Sequence, residues 1–420
     1  MMDTESSQPP SVPKHRDLLL PLLDVLEENG PLRARDAAEA VADKLALSPE
    51  VRGLTKKFGD GQEANVFQRR VRWVRQTALV DSLILNERRG VWELGERGHK
   101  ALTFARPGVV VCVARTNLGA VLWGEAMSAL QWVDDGSVQL LLTSSPYPLV
   151  RNRDYDNGAW GPARFMDTML THCDAMKQKL TANGSMVLNL GQSYNPGSPT
   201  LNTYQEELVV ALRNMGFWLC GKQTWFNPGK PRTTSYVTKT RERLGAGTEC
   251  FYWFSPSQHP KASNLNVLEP YSERHLRTIA AGGQRFNGLS GSRQGHPGLR
   301  YRTDNGGRIP FDFIQCGSEG PSGPYGRYCK AHGLPLHPAR MPARPANFWI
   351  RFTTDPGDVV ADPFGGSLQV AAQAEALGRH FFTSDYTLEY LRGGTSRFHD
   401  APGYEEHFDS IWMTPDIVAA

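Results

Sequence analysis

The segment 358–385 constrains the fold of this chain most, because a strand, a glycine turn, a helix and a second strand follow one another in its pattern. A short apolar run ends in the sequence DPFGG, and apolar residues at helical spacing follow from Ser367 to Leu377. The next apolar run ends at Asp385, 23 positions after Asp362. At about this spacing an acid meets the ribose hydroxyls in nucleotide-binding folds. The pattern predicts a nucleotide-type ligand at this turn, although an ordinary strand–helix–strand unit would share it.

A second apolar run, 138–142, stops in the sequence TSSPYP. Its composition predicts a buried strand in a sheet that is covered on both faces, and the two prolines end the strand and stiffen the turn. Ser144 and Tyr147 therefore follow the carboxyl end of a strand, where ligands bind in open α/β sheets. A flat ring could stack on Tyr147 while its exocyclic amine donates to Ser144 Oγ and to a turn carbonyl. The alternative is a proline turn with a surface tyrosine.

Together the two turns resemble the motifs of the amino-group DNA methyltransferases that use S-adenosylmethionine. That family carries a (Ser/Asp/Asn)-Pro-Pro-(Tyr/Phe) turn for the target amine and an Asp-Pro-Phe-x-Gly turn for the cofactor. Here the base turn comes first and a long insertion separates the two, as in the family's β arrangement, over about residues 117–398. The segment 337–342 resembles the segment that flanks the cofactor. Ser145 stands where the first proline is usual, and Ser367-Leu368-Gln369 stands where Ser/Thr-Gly-Thr is more common.

The resemblance implies a site and a reaction. The catalytic turn would consist of Ser144, Ser145, Pro146 and Tyr147. The S-adenosyl-L-methionine site would consist of His337, Pro338, Asp362, Pro363, Phe364, Gly365, Gly366, Ser367 and Asp385. In that family a Ser-led turn is typical of cytosine-N4 enzymes, so we expect a site-specific cytosine-N4 DNA methyltransferase, with adenine-N6 as the alternative target. A restriction-modification system with a cognate endonuclease would be its setting.

The N-terminal part predicts a separate DNA-binding domain. After a tail at 1–14, residues 15–105 have the pattern of three helices and a hairpin, which is a winged helix that resembles the N-terminal domain of Mrr-type restriction enzymes. Asp36 is the expected cap of the second helix. The third helix is basic and suits the major groove of DNA. Its expected DNA-binding residues are Arg69, Arg70, Arg72 and Arg75. A winged helix that binds protein through a solvated basic face is the alternative.

The remaining chain predicts a doubly wound, Rossmann-like sheet that is interrupted by one insertion. Strands and helices alternate over 106–226, the catalytic part, and over 336–420, the cofactor-binding part. Between them, 227–335 is rich in Gly, Pro, Ser, Asn and Arg, which favours a loop-rich target-recognition region beside the flipped base. The stretch 282–308 is expected to order on DNA. The basic residues singled out in the insertion are Lys230, Arg232, Arg241 and Arg243.

The composition of the chain restricts its possible partners and its cellular compartment. The net charge of +3 requires any nucleic-acid surface to be local, and six scattered cysteines without a CxxC pair favour a reduced cytoplasmic protein, here at the nucleoid. The start of the chain lacks the apolar core of a signal peptide, and its longest apolar run, 109–114, is too short to cross a membrane. A zinc site at Cys316, Cys329, His332 and His337 is the weaker alternative to a metal-free enzyme, because only Cys329-x-x-His332 has suitable spacing.

Two further functions remain open from the sequence. One is a DNA-binding regulator with a degenerate methyltransferase body, of which Ser145 and the missing glycine after Ser367 would be the signs. The other is an RNA or protein-glutamine methyltransferase, because related turns serve amides. The basic insertion and the winged helix favour DNA over both RNA and protein as the substrate.

Overall fold

The structure is a computed structural model, and it describes most of the chain. The described residues are 12–13, 15–58, 61, 63–80, 82–85, 88–103, 105, 108–146, 148, 164–232, 234–286, 298–300 and 303–408. Tyr147 and about half of the stretch expected to order on DNA, residues 287–297 and 301–302, lie outside these residues.

The N-terminal part folds as five helices around a small antiparallel sheet. The helices are α1 (Leu19–Asn29), α2 (Ala34–Lys44), α3 (Pro49–Gly53), α4 (Val66–Val80) and α5 (Glu96–Thr103). The strands are β1 (Leu32–Arg33), β2 (Thr55–Lys57), β3 (Glu63–Asn65), β4 (Ile84–Leu85) and β5 (Val91–Leu94). Strands β1, β5 and β4 form one sheet, and β2 pairs with β3 as a separate hairpin. The core consists of apolar residues that recur at helical spacing on α1, α2 and α4.

This arrangement confirms the predicted helices and the hairpin of β4 and β5, and it corrects one detail. Asp36 is not the cap of α2, because the helix begins at Ala34 and Asp36 lies in its first turn. A carboxylate there still interacts favourably with the amino end of the helix. The short elements α3, α5 and β1 and the β2–β3 hairpin were not predicted.

The rest of the chain forms one large sheet with helices on both faces. Its strands, with a separate β12–β13 pair, are β6 (Val110–Arg115), β7 (Gly119–Gly124), β8 (Val138–Thr143), β9 (Leu180–Gly191), β10 (Trp218–Phe226), β11 (Thr248–Ser255), β12 (Gln284–Phe286), β13 (Gly298–Arg300), β14 (Phe313–Gln315), β15 (Val359–Asp362), β16 (His380–Asp385) and β17 (Glu405–Glu406). The helices are α6 (Ala126–Ala129), α7 (Phe165–Lys179), α8 (Tyr204–Asn214), α9 (Ser235–Thr238), α10 (Glu273–Ala280), α11 (Pro324–Ala331), α12 (Ala343–Thr353), α13 (Gln369–Ala376) and α14 (Leu388–Gly394).

The described strands of this sheet follow the order β14-β10-β11-β9-β8-β15-β16-β7-β6-β17. The five central strands, β9 to β7, are mutually parallel. Antiparallel pairs extend the sheet through β11 and β10 on one side and through β6 and β17 on the other, and the edge strand β14 runs parallel to β10. From β8 the chain continues through α7 to β9, while from β15 it continues through α13 to β16 on the other side. The neighbours β8 and β15 therefore flank the point at which the strand order reverses, where such folds bind ligands.

Both faces of the sheet are buried, which explains the continuous apolar run of β8. Leu140 and Leu142 pack in the core that contains Trp349 of α12, whereas Leu141 packs in the core that contains Met169 of α7. A strand whose alternate residues enter two cores has no polar face. The predicted doubly wound sheet is confirmed.

The prediction of a loop-rich segment throughout 227–335 was wrong at β11. This strand pairs with both β9 and β10, and Phe251, Tyr252 and Phe254 are buried in the sheet cores. The polar sequence on either side hid a strand whose aromatic residues serve the core. Within the described part of the chain, no helix is long and apolar enough to cross a membrane.

Candidate active site

The two turns singled out in the sequence lie side by side at the carboxyl ends of β8 and β15. The strands pair in parallel with Leu141 opposite Ala361. Thr143, the last residue of β8, donates a hydrogen bond from Oγ1 to Asp362 Oδ1 at 2.6 Å. This buried bond fixes the start of the base turn against the start of the cofactor turn.

One cavity opens between these turns, and Ser144 and Asp385 both line it. The expected site residues on its wall are Ser144, Ser145, Pro146, His337, Asp362, Pro363, Phe364, Gly365, Gly366, Ser367 and Asp385. Pro338 is different, because it is exposed and absent from the wall, while its neighbour Ala339 contributes instead. Tyr147, the remaining residue expected in the catalytic turn, lies outside the described residues.

The glycine turn after β15 brings the backbone against the cavity. Gly366 has a φ of 51° and its N–H donates to Asp385 Oδ2 at 2.7 Å. A side chain on Gly365 would collide with Thr383 Oγ1, and one on Gly366 would meet the His337 ring at 3.0 Å. Only glycine therefore leaves the backbone so close to a ligand. A nucleoside fits this turn, since an acid at the end of the next strand faces the same cavity.

The two carboxyl groups at this edge, those of Asp362 and Asp385, both have raised pKa values. Burial raises the pKa of Asp362 to about 7, against the opposing hydrogen bonds from Thr143 and from the Phe364 N–H. Burial likewise raises the pKa of Asp385 to about 6, although the backbone N–H groups of Gly366 and Thr387 favour its ionised form. A carboxyl kept from water recovers part of that cost when a cation or a hydroxyl pair binds beside it.

On the base turn, a neighbour that the sequence analysis missed sets the direction of the Ser144 hydroxyl. Ser144 Oγ donates to Asn189 Oδ1 at 3.2 Å, and Asn189 lies near the carboxyl end of β9 with 2% exposure. Because the single hydroxyl proton is directed at Asn189, the lone pairs of Ser144 Oγ are left to accept from another donor. Ser193 Oγ donates to the Pro148 carbonyl and ties the far side of the turn to the residues after β9.

Other residues on the cavity wall come from elements that carried no motif. They include Glu125, Thr168, His172, Tyr386, Thr387 and Tyr390. Glu125 directly follows β7, so its position at the same sheet edge was the one available signal. Burial lowers the pKa of His172, because the imidazolium would lose its hydration beside Phe364.

Comparison with known proteins shows the family to which the chain belongs. The profile of a DNA methylase family matches residues 138–396, and the profile of the Mrr N-terminal domain matches residues 15–103. The chain belongs to the DNA methylase family. S-adenosyl-L-methionine is the cofactor of this family, which confirms the predicted cofactor and the resemblance on which it rested.

Individual relatives agree with this family. The chain is 31% identical to the type II methyltransferase M.PvuII of Proteus hauseri over 300 residues, which are 71% of this chain and 88% of that protein. It is 20% identical to M.BglII of Bacillus subtilis over 281 residues, 66% of this chain and 68% of that protein. A solved structure of PvuII DNA methyltransferase, described as cytosine-N4-specific, has 26% identity and a TM-score of 0.54, covering 72% of this chain and 92% of that one.

The four arginines on α4, in the Mrr-type domain of this methylase, have different environments. Arg70 Nη1 donates to the carbonyls of Val12 and Pro13, at 2.5 and 2.8 Å, and so holds the segment before α1. Arg69 stacks on Phe58 at 4.1 Å, and Arg75 lies over Trp92 at 5.8 Å. Arg72 is exposed and is the best placed of the four to reach a phosphate.

Three of the basic residues singled out in the insertion, Lys230, Arg232 and Arg243, line a cleft beside the residues that follow β9. Arg243 stacks on Tyr194 at 3.5 Å and donates to Thr234 Oγ1, while Lys230 pairs with Glu249 at 3.0 Å. Arg232 lines the same cleft. Arg241 is exposed, with a φ of 59°.

The residues of the zinc alternative serve other purposes in the structure. His337 lines the cofactor cavity, His332 stacks on Tyr328 at 4.0 Å, and Cys329 is buried. Across the described ranges, no three His, Cys, Asp or Glu side chains come together to hold a metal ion.

The raised pKa values of Asp362 and Asp385 predict the pH dependence of cofactor binding. Between about pH 4 and 7 the folded, ligand-free protein keeps protons that the unfolded chain releases, so its stability falls as pH rises through this window. A cationic cofactor favours the ionised carboxylates, and its affinity should therefore rise from about pH 5 to 7.5. Calorimetric titration with S-adenosylmethionine across this range measures the effect. An affinity that falls with pH would contradict these pKa values.

Proposed function

We propose that this DNA methyltransferase transfers a methyl group to the exocyclic N4 of cytosine at a specific DNA sequence. The observation that carries the proposal is the shared cavity, in which Ser144 of the base turn and Asp385 of the cofactor turn face one space. The Ser-led turn and the similarity to a cytosine-N4-specific enzyme of known structure support cytosine over adenine.

The base turn would hold the target amine. The amine is unreachable inside the duplex, so the nucleotide must first swing out of the helix. Ser144 Oγ, whose proton is directed at Asn189, would accept from one N–H of the amine, and the Ser145 carbonyl would accept from the other. Tyr147 would stack on the ring, a contact that contributes about 1–3 kcal/mol in other nucleic-acid complexes. These contacts aim the nitrogen lone pair away from the turn and into the cavity.

The other half of the cavity would hold the cofactor. Asp385 would accept hydrogen bonds from the ribose hydroxyls, and Asp362 with the Phe364–Gly366 backbone would hold the methionine end. When bound, the cofactor supplies a methyl group that is already activated on a sulfonium. The chain therefore has to position two reactants and exclude water, and such positioning can account for most of the acceleration. His337 would close the wall beside Gly366.

We assign the binding of double-stranded DNA to two regions. The Mrr-type domain at 15–105 would contact the duplex through α4, and the region 227–335, which contains β11, would form the target-recognition region. Tyr194 and Arg243 place an aromatic–cation pair beside the base turn. The proposed DNA contacts are Arg69, Arg72, Arg75, Lys230, Arg232, Arg241 and Arg243. Arg70 is omitted because its guanidinium holds the backbone.

The setting proposed for this activity is a restriction-modification system in the cytoplasm, with a cognate endonuclease, because the named relatives are type II methyltransferases.

The target base is tested by nucleoside mass spectrometry. Plasmid DNA is incubated with the protein and isotope-labelled S-adenosylmethionine and is then digested to nucleosides. We expect labelled N4-methylcytosine and a single modified sequence. Labelled N6-methyladenine alone would overturn the choice of base while leaving the methyltransferase assignment intact. Equal labelling of RNA or protein added as competitor would overturn the choice of substrate.

Removal of the Arg72 guanidinium should weaken DNA binding without sequence preference. An exposed arginine on a phosphate contributes through the release of counterions, so Arg72→Ala should reduce the slope of log affinity against log salt by about 1. Fluorescence anisotropy with a duplex at several salt concentrations gives this slope. Arg35→Ala on α2 removes the same charge from an exposed i,i+4 ion pair and is the control. Equal slopes for wild type and Arg72→Ala would contradict the proposal that α4 contacts the DNA phosphates through Arg72.

A further inference from the structure

Arg397 contacts one wall of the cofactor cavity directly, at Ser367, and the opposite wall only through Tyr325, without lining the cavity itself. It ends the short helix Thr395–Arg397 after α14, and its side chain is only 13% exposed. Its Nε donates to the carbonyl of Ser367 at 2.7 Å, and its Nη2 pairs with Glu319, which is 15% exposed. Its guanidinium also lies over the Tyr325 ring at 5.0 Å. This half-buried cation thus contacts three separate segments.

The Ser367 carbonyl belongs to a stretch of backbone with an unusual conformation. Gly366 has a φ of 51° and Leu368 has a φ of 58°, so the carbonyl lies between two left-handed residues. Leu368 is not a glycine, and such a residue keeps this conformation only where its surroundings impose it. Its fully buried side chain supplies one constraint, and the hydrogen bond from Arg397 supplies a second.

The same group of residues also fixes the opposite wall. The backbone N–H of His337 donates to Tyr325 Oη at 3.2 Å. Arg340 links the two sides again, since its Nε donates to the Glu319 carbonyl at 2.9 Å and its Nη1 donates to the His337 carbonyl at 2.6 Å. The turn with Gly366 and the wall with His337 are therefore joined through Arg397, Tyr325 and Glu319.

We propose that Arg397 is a positioning residue that sets the width of the cofactor cavity, and that Glu319 connects it to the recognition region. Glu319 lies four positions after β14, the strand that follows the basic loops and pairs with β10. A shift of those loops on DNA reaches the cofactor turn through this ion pair. The inference rests on the assignment of this cavity to S-adenosylmethionine.

The test is calorimetric titration of the full chain with S-adenosylhomocysteine, which needs no turnover. Arg397→Gln should weaken binding at least about tenfold, since it removes the cation and one of two constraints on the turn. Arg397→Lys keeps the charge and should recover part of the affinity. Added guanidinium at a few millimolar should restore binding to Arg397→Ala, because it can refill the site left by the side chain. The control is Arg392→Gln, an exposed arginine on α14 outside this group.

A second readout separates positioning from stability. In methylation assays the variants should raise the KM for S-adenosylmethionine while kcat at saturating cofactor changes less than about threefold. Glu319→Gln keeps the fold with a neutral isostere and should reduce the gain in cofactor affinity that DNA produces. If Arg397→Gln and Glu319→Gln both bind S-adenosylhomocysteine like wild type, with and without DNA, the proposal is wrong. Failure of wild type to bind would instead refute the cofactor assignment.

Discussion

Ser144→Ala should reduce methyl transfer by about 100- to 1000-fold, the usual effect of deleting one hydrogen-bonding group aimed at developing charge. The alanine leaves the target amine one acceptor short, and its lone pair is no longer directed into the cavity. Because Ser144 lies on the turn after β8, away from Asp385 on β16, the affinity for S-adenosylmethionine should stay within about twofold. Single-turnover methylation and calorimetric titration measure the two quantities separately.

The control for this variant is Ser137→Ala, which removes a hydroxyl from a surface turn where it donates to the Asp134 carbonyl. Tyr147→Ala should also abolish transfer and spare cofactor binding, by loss of the stacked ring. Full turnover by Ser144→Ala would mean that the hydroxyl has no part in holding the amine.

Asp385→Ala should have the opposite signature, with cofactor binding lost first. Hydrogen bonds to a charged group contribute about 1.5–3 kcal/mol each, so losing two to a ribose should weaken binding by more than about 100-fold. The same carboxylate accepts from the N–H groups of Gly366 and Thr387, and its removal also frees the glycine turn. Asp385→Asn retains one acceptor and should lose less affinity.

The measurement for Asp385→Ala is calorimetric titration with S-adenosylhomocysteine, together with the shift in Tm that the ligand produces. DNA binding, followed by anisotropy, should change less than about twofold, because the basic loops lie elsewhere. Unaltered S-adenosylhomocysteine affinity would show that the nucleoside binds in another cavity.

The sequence alone predicts those elements whose local residue pattern agrees with their place in the tertiary structure. The run of β8 is apolar because two cores claim its alternate residues, and the turns after β8 and β15 are marked by proline and glycine. Both turns follow the carboxyl end of a strand, where ligands bind in open α/β sheets. These features predict Ser144, Asp362 and Asp385 as site residues.

Residues that depend on strand register were beyond the sequence. Asn189 meets Ser144 only because β9 runs parallel to β8 with Leu188 opposite Thr143, and no motif encodes that pairing. Pro338 was assigned to the cavity by its motif, but its side chain is exposed while the residues on both sides contribute. Arg70 shared the basic pattern of α4, yet two carbonyls before α1 engage it.

The central claim is that base and cofactor meet in the cavity between the two turns. The most direct measurement is a crystal structure of the protein with S-adenosylhomocysteine and a duplex that carries the target cytosine. The account predicts the ribose on Asp385 and the extruded cytosine with its amine within hydrogen-bonding distance of Ser144 Oγ. A structure with the nucleoside and the extruded base in different cavities would contradict it.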